Sequence, residues 1–482
     1  MQLVRQTTAI LARRPWLLIA AIVVLGVGLR WYHLSEWDMW NDEVDTLWIA
    51  ETGEYTEGPM YRTAPVNFWL TAASARVFGS NELGERFPSF LAGVLTLVLF
   101  FATFRSGLGD RAAILGTLFL CLSMWHVYWS QVGRHFSPQV LFILLGIYFL
   151  VKYWKSESLP LAWFAAASTG VALATHSSTV FFLVAFVAVL GSGFLASLAG
   201  RADGTPRKYL MAGIPFLLLL LAYLPVLSAI GDYVMQNKVA WNPPYGIIAS
   251  YLFYLNPVFL FIALGGLLIM IQRGNELGWL LAGLILVPLG LILYSTTRTL
   301  SSVAYILASV LPVAALVGVA ADWLLESGSE RGYRWAATAI VVGVFVAQSW
   351  ELAHYYMVYN GLKPRWKEAM AYVDERRGDG DSVYAAEGQV GEYYLGSGEA
   401  GWLGMDEVSA APEPGAWYID FMSLGPMPDD MNPRVRLLQE KTRVMAIFPL
   451  HYGAKNRTLV VLHATADPEP PVSLPGAAQS PP

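Results

Sequence analysis

Apolar and polar positions fall in long alternating blocks along the chain. Apolar runs recur near 15–34, 88–105, 112–130, 137–153, 160–176, 178–198, 209–230, 247–271, 277–296, 302–325 and 335–355. Crossing a hydrocarbon core takes roughly 20 such residues, so the pattern predicts about eleven membrane spans. The connections between runs alternate in charge. With the N-terminus inside, the inner connections hold Arg13 and Arg14, Arg105 and Arg111, Lys152 and Lys155, Arg201, Arg207 and Lys208, Arg273, and Arg331 with Arg334. The outer ones hold few cations, mainly Arg134, Lys238 and Arg298. Cytoplasmic loops carry the excess of Lys and Arg, which sets this polarity. An odd number of spans then leaves the C-terminal segment outside.

Two stretches break the pattern. The first outer loop, 35–87, is too long for a simple connector. Within it Val44–Ala50 and Pro65–Phe78 read as helices, and Phe68, Trp69 and Leu70 beside Arg76 suggest one lying in the membrane interface. After about Lys363 the periodicity changes. Trp366–Arg377 reads as an amphipathic helix, while Ser382–Ala386, Trp417–Phe421, Val444–Phe448 and Thr458–His463 have the β-branched and aromatic content of short strands. The expected architecture is a mostly α, polytopic membrane domain over 1–360, with 35–87 as its first outer loop. A small extracytoplasmic α/β domain follows over 361–466, then a Pro-, Ala- and Ser-rich disordered tail over 467–482.

Composition agrees. Charged residues are 14% of the chain, against about 25% in a soluble protein. The 18 Trp and 24 Tyr suit interfacial anchors. A net charge of −5 argues against a nucleic-acid partner. The single cysteine, Cys121, allows neither an internal disulfide nor a cysteine-based metal site. The first apolar run is long and lacks a small-residue cleavage pattern, so it is expected to stay as an anchor in the cytoplasmic membrane.

Candidate chemistry begins at Asp42 and Glu43, in the run Trp37–Asp45 directly after the first span. Carboxylates beside lipid are costly and are usually kept for function. The later outer connections add Arg134 and His135, His176, Lys238 and Arg298. Each alone has a plainer reading: Arg134 as a headgroup anchor, His176 as a hydrogen-bonded turn residue, Lys238 as a solvated charge. Arg298 is less ordinary, because the inside rule disfavours a cation there.

Taken in order, these stretches resemble the GT-C superfamily of membrane glycosyltransferases, in its protein-mannosyltransferase and aminoarabinose-transferase branch. Trp40-Asn41-Asp42-Glu43 resembles that family's first-loop acidic motif. Ala64–Leu70, Val77-Phe78-Gly79, Glu82 and Arg86-Phe87-Pro88-Ser89 resemble its approach to the second span. Ser130–Phe136 resembles a segment ending in Ala-Arg-aromatic-aromatic, with Gly133 in place of Ala and His135 in place of an aromatic. Thr175–Ser178 resembles a Thr-His-Tyr turn. Arg298 before Leu311-Pro312 resembles an Arg-Tyr run, with Thr299 in place of Tyr.

The resemblance implies transfer of a sugar from a polyprenyl-phosphate donor to an acceptor hydroxyl on the outer face, with inversion. It implies Asp42 as base and Glu43 as the group orienting Asp42 or the acceptor. Arg134 and Arg298 would be the phosphate ligands, Lys238 a weaker third, and His135 and His176 contacts behind them. It leaves room for a divalent cation, magnesium or manganese, at Asp42 and Glu43, which some branches use; no outer ligand cluster demands one. The acceptor, whether protein, lipid or glycan, stays open. A transporter or flippase would also use many spans and buried charge, but its inverted repeats are not visible here. A non-catalytic scaffold would not need Asp42, Arg134 and Arg298 on one side.

A reporter fused after Arg207 is expected to read cytoplasmic, and one after Asp381 external. Both reading on one side would show the span count to be wrong.

Overall fold

The computed structural model describes residues 15–54, 64–201, 204–236, 244–298, 301–330, 332–404, 414–422, 442–452, 455–456 and 458–464. The chain divides into two compact units, Met1–Leu34 with Ile49–Leu352, and Ser35–Trp48 with Ala353–Pro482. The sequence pattern kept all of 35–87 with the membrane part, whereas by its contacts Ser35–Trp48 groups with the C-terminal residues. The tail 467–482 lies outside the described residues.

The first unit is helical and belongs to an integral membrane protein. Among the described residues, seven helical stretches are long and apolar enough to span: Glu82–Leu108, Phe136–Ser156, Ser177–Leu198, Pro206–Asp232, Leu277–Ser295, Val303–Ser329 and Arg334–Met357. Two more runs are bent pairs, Asp110–Leu122 with Met124–Ser130 at 60° and Pro244–Leu255 with Pro257–Gln272 at 81°. Pro15–Trp31 and Leu159–Thr175 are shorter apolar helices. Every apolar run of the sequence is thus a helix or a bent pair.

The second bend has a local cause. Pro257 lacks an N–H and forces its predecessor out of the helical region. Asn256 takes φ 49° and caps the next helix through its side chain, which accepts from the Val258 N–H at 3.0 Å. The first bend, at Ser123, has no proline or glycine.

Helix Val310–Glu330 runs through the middle of the unit, packed against Asp110–Leu122 and Pro257–Gln272. Glycines allow the backbones to touch. A Cβ on Gly318 would overlap the Ala112 carbonyl, and one on Gly266 the Leu316 carbonyl. With no water to expel, small residues are what bring membrane helices together. The helix expected at the interface, Val66–Phe78, buries Asn67, Thr71 and Ser74 along with Phe68, and exposes Trp69 and Val77.

The basic connections meet at one end of this unit. Arg105 pairs with Asp110 at 3.0 Å, Arg111 with Asp322, Lys208 with Glu276 at 3.1 Å, and Arg273 with Glu326 at 3.5 Å. Lys155 donates to the Ser106 carbonyl at 2.5 Å. These contacts draw residues from four of the basic connections together with the C-terminal end of helix Val310–Glu330.

The second unit is built on a five-stranded sheet. In chain order its strands are β1 (Val383–Ala385), β2 (Gly401–Trp402), β3 (Trp417–Met422) and β4 (Arg443–Phe448). A two-stranded hairpin, β5 (His451–Tyr452) and β6 (Lys455–Asn456), leads to β7 (Thr458–His463). The order is β2-β1-β3-β7-β4, with β1 parallel to both neighbours and β7 antiparallel to β3 and β4. Tyr418, Val460 and Leu462 face a core with Leu403, Ala416 and Ala464. Helix Trp366–Asp374 packs on β7 and β4, burying Trp366, Ala369, Met370 and Val373. It ends before the expected Arg377, because the Arg376 and Arg377 amides turn back onto the Val373 carbonyl.

Candidate active site

The acidic segment is held by its own unit. Lys367 N–H donates to Asp38 Oδ2 at 3.0 Å, Met39 N–H to the Tyr394 hydroxyl at 2.8 Å, and Asn41 N–H to Glu387 Oε2 at 3.3 Å. Trp37 packs edge-on against Tyr355 and flat against Tyr356. Gly361 is needed there, since it has φ 61° and a Cβ would run into the Trp37 ring.

These contacts start the helix Asn41–Thr52 with Asp42 and Glu43 in its first turn, where the helix dipole favours carboxylates. Glu43 is fully buried and pairs with Lys363 Nζ at 2.6 Å, itself only 2% exposed. The Asp42 carbonyl accepts from Thr46 Oγ1 at 2.7 Å, and its carboxylate is half-buried. The two carboxylates therefore differ: Glu43 is committed to a buried ammonium, and Asp42 is the more accessible.

In the membrane unit, the turn Gln131–His135 follows the Ser123 bend and precedes helix Phe136–Ser156. It is buried throughout. Gln131 Nε2 donates to the carbonyls of Leu29 at 3.4 Å and Tyr32 at 2.6 Å. Ser89 Oγ donates to the Arg134 carbonyl at 2.8 Å. A Cβ at position 133 would overlap the buried Glu85 side chain, so the glycine lets the turn lie close against it.

Arg134 and His135 are both nearly buried. His135 lies face to face with His176, ring centres 3.7 Å apart and planes 1° from parallel. Phe136 and Tyr305 complete the aromatic cluster. Gln139 Nε2 ties it together by donating to Ser178 Oγ at 3.0 Å and Thr179 Oγ1 at 2.8 Å. His176 Nδ1 accepts from the Ser178 N–H at 3.2 Å, which leaves its proton on Nε2.

Burial and the nearby Arg134 charge push His176 down to about 3. Burial first, then His176 and Arg134, hold His135 well below the ordinary imidazole range. Both rings are therefore neutral at working pH, as close parallel stacking requires. His135 Nε2 is buried and has no hydrogen-bond partner among the described residues.

The structure thus brings together Arg134, His135 and His176. Arg298 stands at the end of helix Leu277–Ser295, exposed, with its guanidinium 5.8 Å from the Tyr294 ring centre. Lys238, like Thr299, lies outside the described residues. No three His, Cys, Asp or Glu side chains among the described residues gather as metal ligands. Sequence reasoning missed Lys363, whose partner is remote in the chain, and Glu85, which occupies the space Gly133 leaves. It also missed Arg30, a cation closing the first apolar run, which was the one visible signal.

Residues 62–228 match the model of the dolichyl-phosphate-mannose-protein mannosyltransferase family. An uncharacterized protein of Aquifex aeolicus is 32% identical over 126 residues, which span about a quarter of each chain. Among solved structures, apo ArnT from Cupriavidus metallidurans superposes with a TM-score of 0.56 at 13% identity, over 94% of this chain and 98% of that one. The same protein bound to undecaprenyl phosphate gives 0.54 at 12% identity, over 92% and 97%. The oligosaccharyltransferase AglB from Archaeoglobus fulgidus, in complex with an inhibitory peptide and a dolichol-phosphate, gives 0.56 at 10% identity, over 85% and 70%.

Two outcomes test the geometry. Removing one partner of a buried pair strands a charge, typically at a cost of about 3–5 kcal/mol, whereas replacing both is far milder. Lys363→Met is expected to lower the unfolding midpoint and expose the C-terminal unit to protease, and Lys363→Met with Glu43→Gln to recover most of the loss. Equal effects of single and double variants would show that the pair is not coupled. The histidine stack gives a pH dependence. Its folded-state values lie below the unfolded one, so its contribution is complete above about 6.5 and is lost as pH falls toward the folded values. The unfolding midpoint of the parent should drop between pH 7 and 4 more steeply than that of His135→Phe/His176→Phe. Parallel pH curves would contradict a neutral stack.

Proposed function

Since the chain has the fold of the GT-C membrane glycosyltransferases, we propose that it transfers a sugar from a polyprenyl-phosphate donor to an acceptor hydroxyl on the extracytoplasmic face of the membrane. The observation that carries this reading is the buried Arg134, set beside two neutral, stacked histidines. A guanidinium kept in a dry site behind a hydrogen-bonded turn suits a phosphate, which it meets with two parallel N–H donors. The family match over 62–228 covers the segment that supplies this turn. The carriers named with ArnT and AglB, undecaprenyl phosphate and a dolichol-phosphate, support a lipid phosphate as the donor's leaving group.

In this reading Asp42 takes the proton of the acceptor hydroxyl as its oxygen bonds to the anomeric carbon. The bond from that carbon to the phosphate oxygen breaks, and the lipid phosphate leaves with one more negative charge. Arg134 and Arg298 meet that charge, with Lys238 a third cation. Attack from the face opposite the leaving phosphate inverts the anomeric centre. Because His135 and His176 are neutral, the positive charge stays on the guanidinium groups, and His135 Nε2 has a hydrogen bond to offer the donor. A divalent cation at Asp42 and Glu43 would have to compete with Lys363 for Glu43, and no step here depends on one.

The experiment is transfer of labelled sugar from an undecaprenyl-phosphate donor by the purified chain, alongside carrier binding. Asp42→Asn is expected to lower turnover by roughly 10²-fold or more with carrier affinity little changed. Arg298→Ala should weaken carrier binding by about 1.5–3 kcal/mol, and Arg298→Lys should recover part of it. Full activity in Asp42→Asn would remove the proposed base. Parent-like carrier binding by Arg298→Ala would make that residue an interfacial anchor.

A further inference from the structure

We propose that Arg30 is a positioning residue for the turn that carries Arg134: from the first membrane helix it holds the bend at Ser123 and so sets where Arg134 and His135 stand. This rests on Arg134 as a phosphate ligand, the reading given above.

The bend creates the need. Where the helix turns by 60° between Leu122 and Met124, carbonyls of the preceding turn lose their regular partners. In a membrane interior no water replaces them. Arg30, completely buried, supplies the donors. Its Nη2 reaches the Leu120 carbonyl at 3.5 Å, and its Nη1 the Cys121 carbonyl at 3.3 Å and that of Gly26, on its own helix, at 3.2 Å.

The same side chain also grips the chain beyond the bend. Nη2 lies 2.7 Å from His126 Nδ1, and Nε donates to Ser130 Oγ at 3.3 Å. A guanidinium can only donate, so His126 Nδ1 accepts and its proton sits on Nε2. Ser130 passes its own hydrogen to the His126 carbonyl at 2.6 Å. One planar group therefore bonds both sides of the break. The five N–H donors of arginine make this span feasible; an ammonium would reach one side or the other.

The surroundings are shaped for it. A Cβ on Gly93 would overlap Ser130 Oγ, and one on Gly26 would overlap Leu97 and crowd Arg30 and Cys121. From Ser130 the connection to Arg134 is short and has no slack. Gln131 is tied to the Leu29 and Tyr32 carbonyls, Gly133 is backed by Glu85, and the Arg134 carbonyl is held by Ser89. A shift of the Met124–Ser130 helix must be passed on to the turn.

The test compares the parent with Arg30→Lys, Arg30→Met, Ser130→Ala and Arg134→Ala, each as the full chain in nanodiscs. Two quantities are read: affinity for undecaprenyl phosphate, and deuterium exchange of peptides covering 131–139 and 310–330. Residues that couple to a site without touching its ligand change its affinity by about 2- to 30-fold. Arg30→Met is expected at the upper end of that range, Ser130→Ala at the lower end, and Arg30→Lys between. Exchange should rise at 131–139 and stay unchanged at 310–330.

A purely structural arginine would instead raise exchange in both peptides and leave the affinity of the folded fraction unchanged, which overturns the proposal. Should Arg30→Met fail to fold, Ser130→Ala, which deletes one oxygen, carries the test: parent-like affinity and parent-like exchange at 131–139 also overturn it. If Arg134→Ala binds the carrier as the parent does, Arg134 is not the phosphate ligand, and the exchange arm still decides whether Arg30 holds the turn.

Discussion

A helix that bends inside a membrane bares carbonyl oxygens where no water can reach them, and each must find a donor from the protein itself. Among the described residues two spans bend by 60° or more, and each answers differently. At Asn256 a proline starts the next helix, the asparagine side chain caps it by accepting from the Val258 N–H, and the remote Glu351 accepts from the asparagine amide. At Ser123 the local chain supplies one donor, the Ser123 N–H to the Leu120 carbonyl, and the others come from a guanidinium on another helix. That dependence puts the first helix, the bent span and the turn after it under one set of hydrogen bonds. The buried site residues of the membrane unit lie within a few residues of that set.

Charge is sorted by how far it is withdrawn from solvent. Among the cations of the basic connections, Arg105, Arg111 and Arg273 are a third to half exposed and pair with carboxylates at nearby helix ends. Arg134 is nearly buried, with neutral rings beside it. Glu43 and Lys363 are fully withdrawn, and a pair so placed fixes geometry more than it adds stability. Neutral imidazoles fit this scheme, since a protonated ring next to Arg134 would set two like charges against each other in a buried place.

What was legible in the sequence follows from what is local. The membrane helices were readable because a span needs a continuous apolar run, and the strands Trp417–Met422 and Thr458–His463 because β-branched and aromatic residues cluster there. Helix Gly388–Leu395 was not, since two glycines in eight residues hide its propensity. The bend at Ser123 carries no proline or glycine to announce it. Arg134, His135 and His176 could be picked out by type and side, yet the stack between His135 and His176 joins residues far apart in the chain. Gly133 looked like a departure from a motif; the buried Glu85 beside it shows the departure to be a fit.

The ion pairs also imply an unequal response to ionic strength. At physiological salt the screening length is about 8 Å, and it acts on charges that ions can approach. Arg273 and Glu326 are both about half exposed, and Arg105 and Asp110 little less. Salt will weaken this lacing of the basic loops while leaving the Glu43–Lys363 contact almost untouched. The loops of the membrane unit are thus tuned by the ionic medium they face, and the acidic segment is insulated from its own.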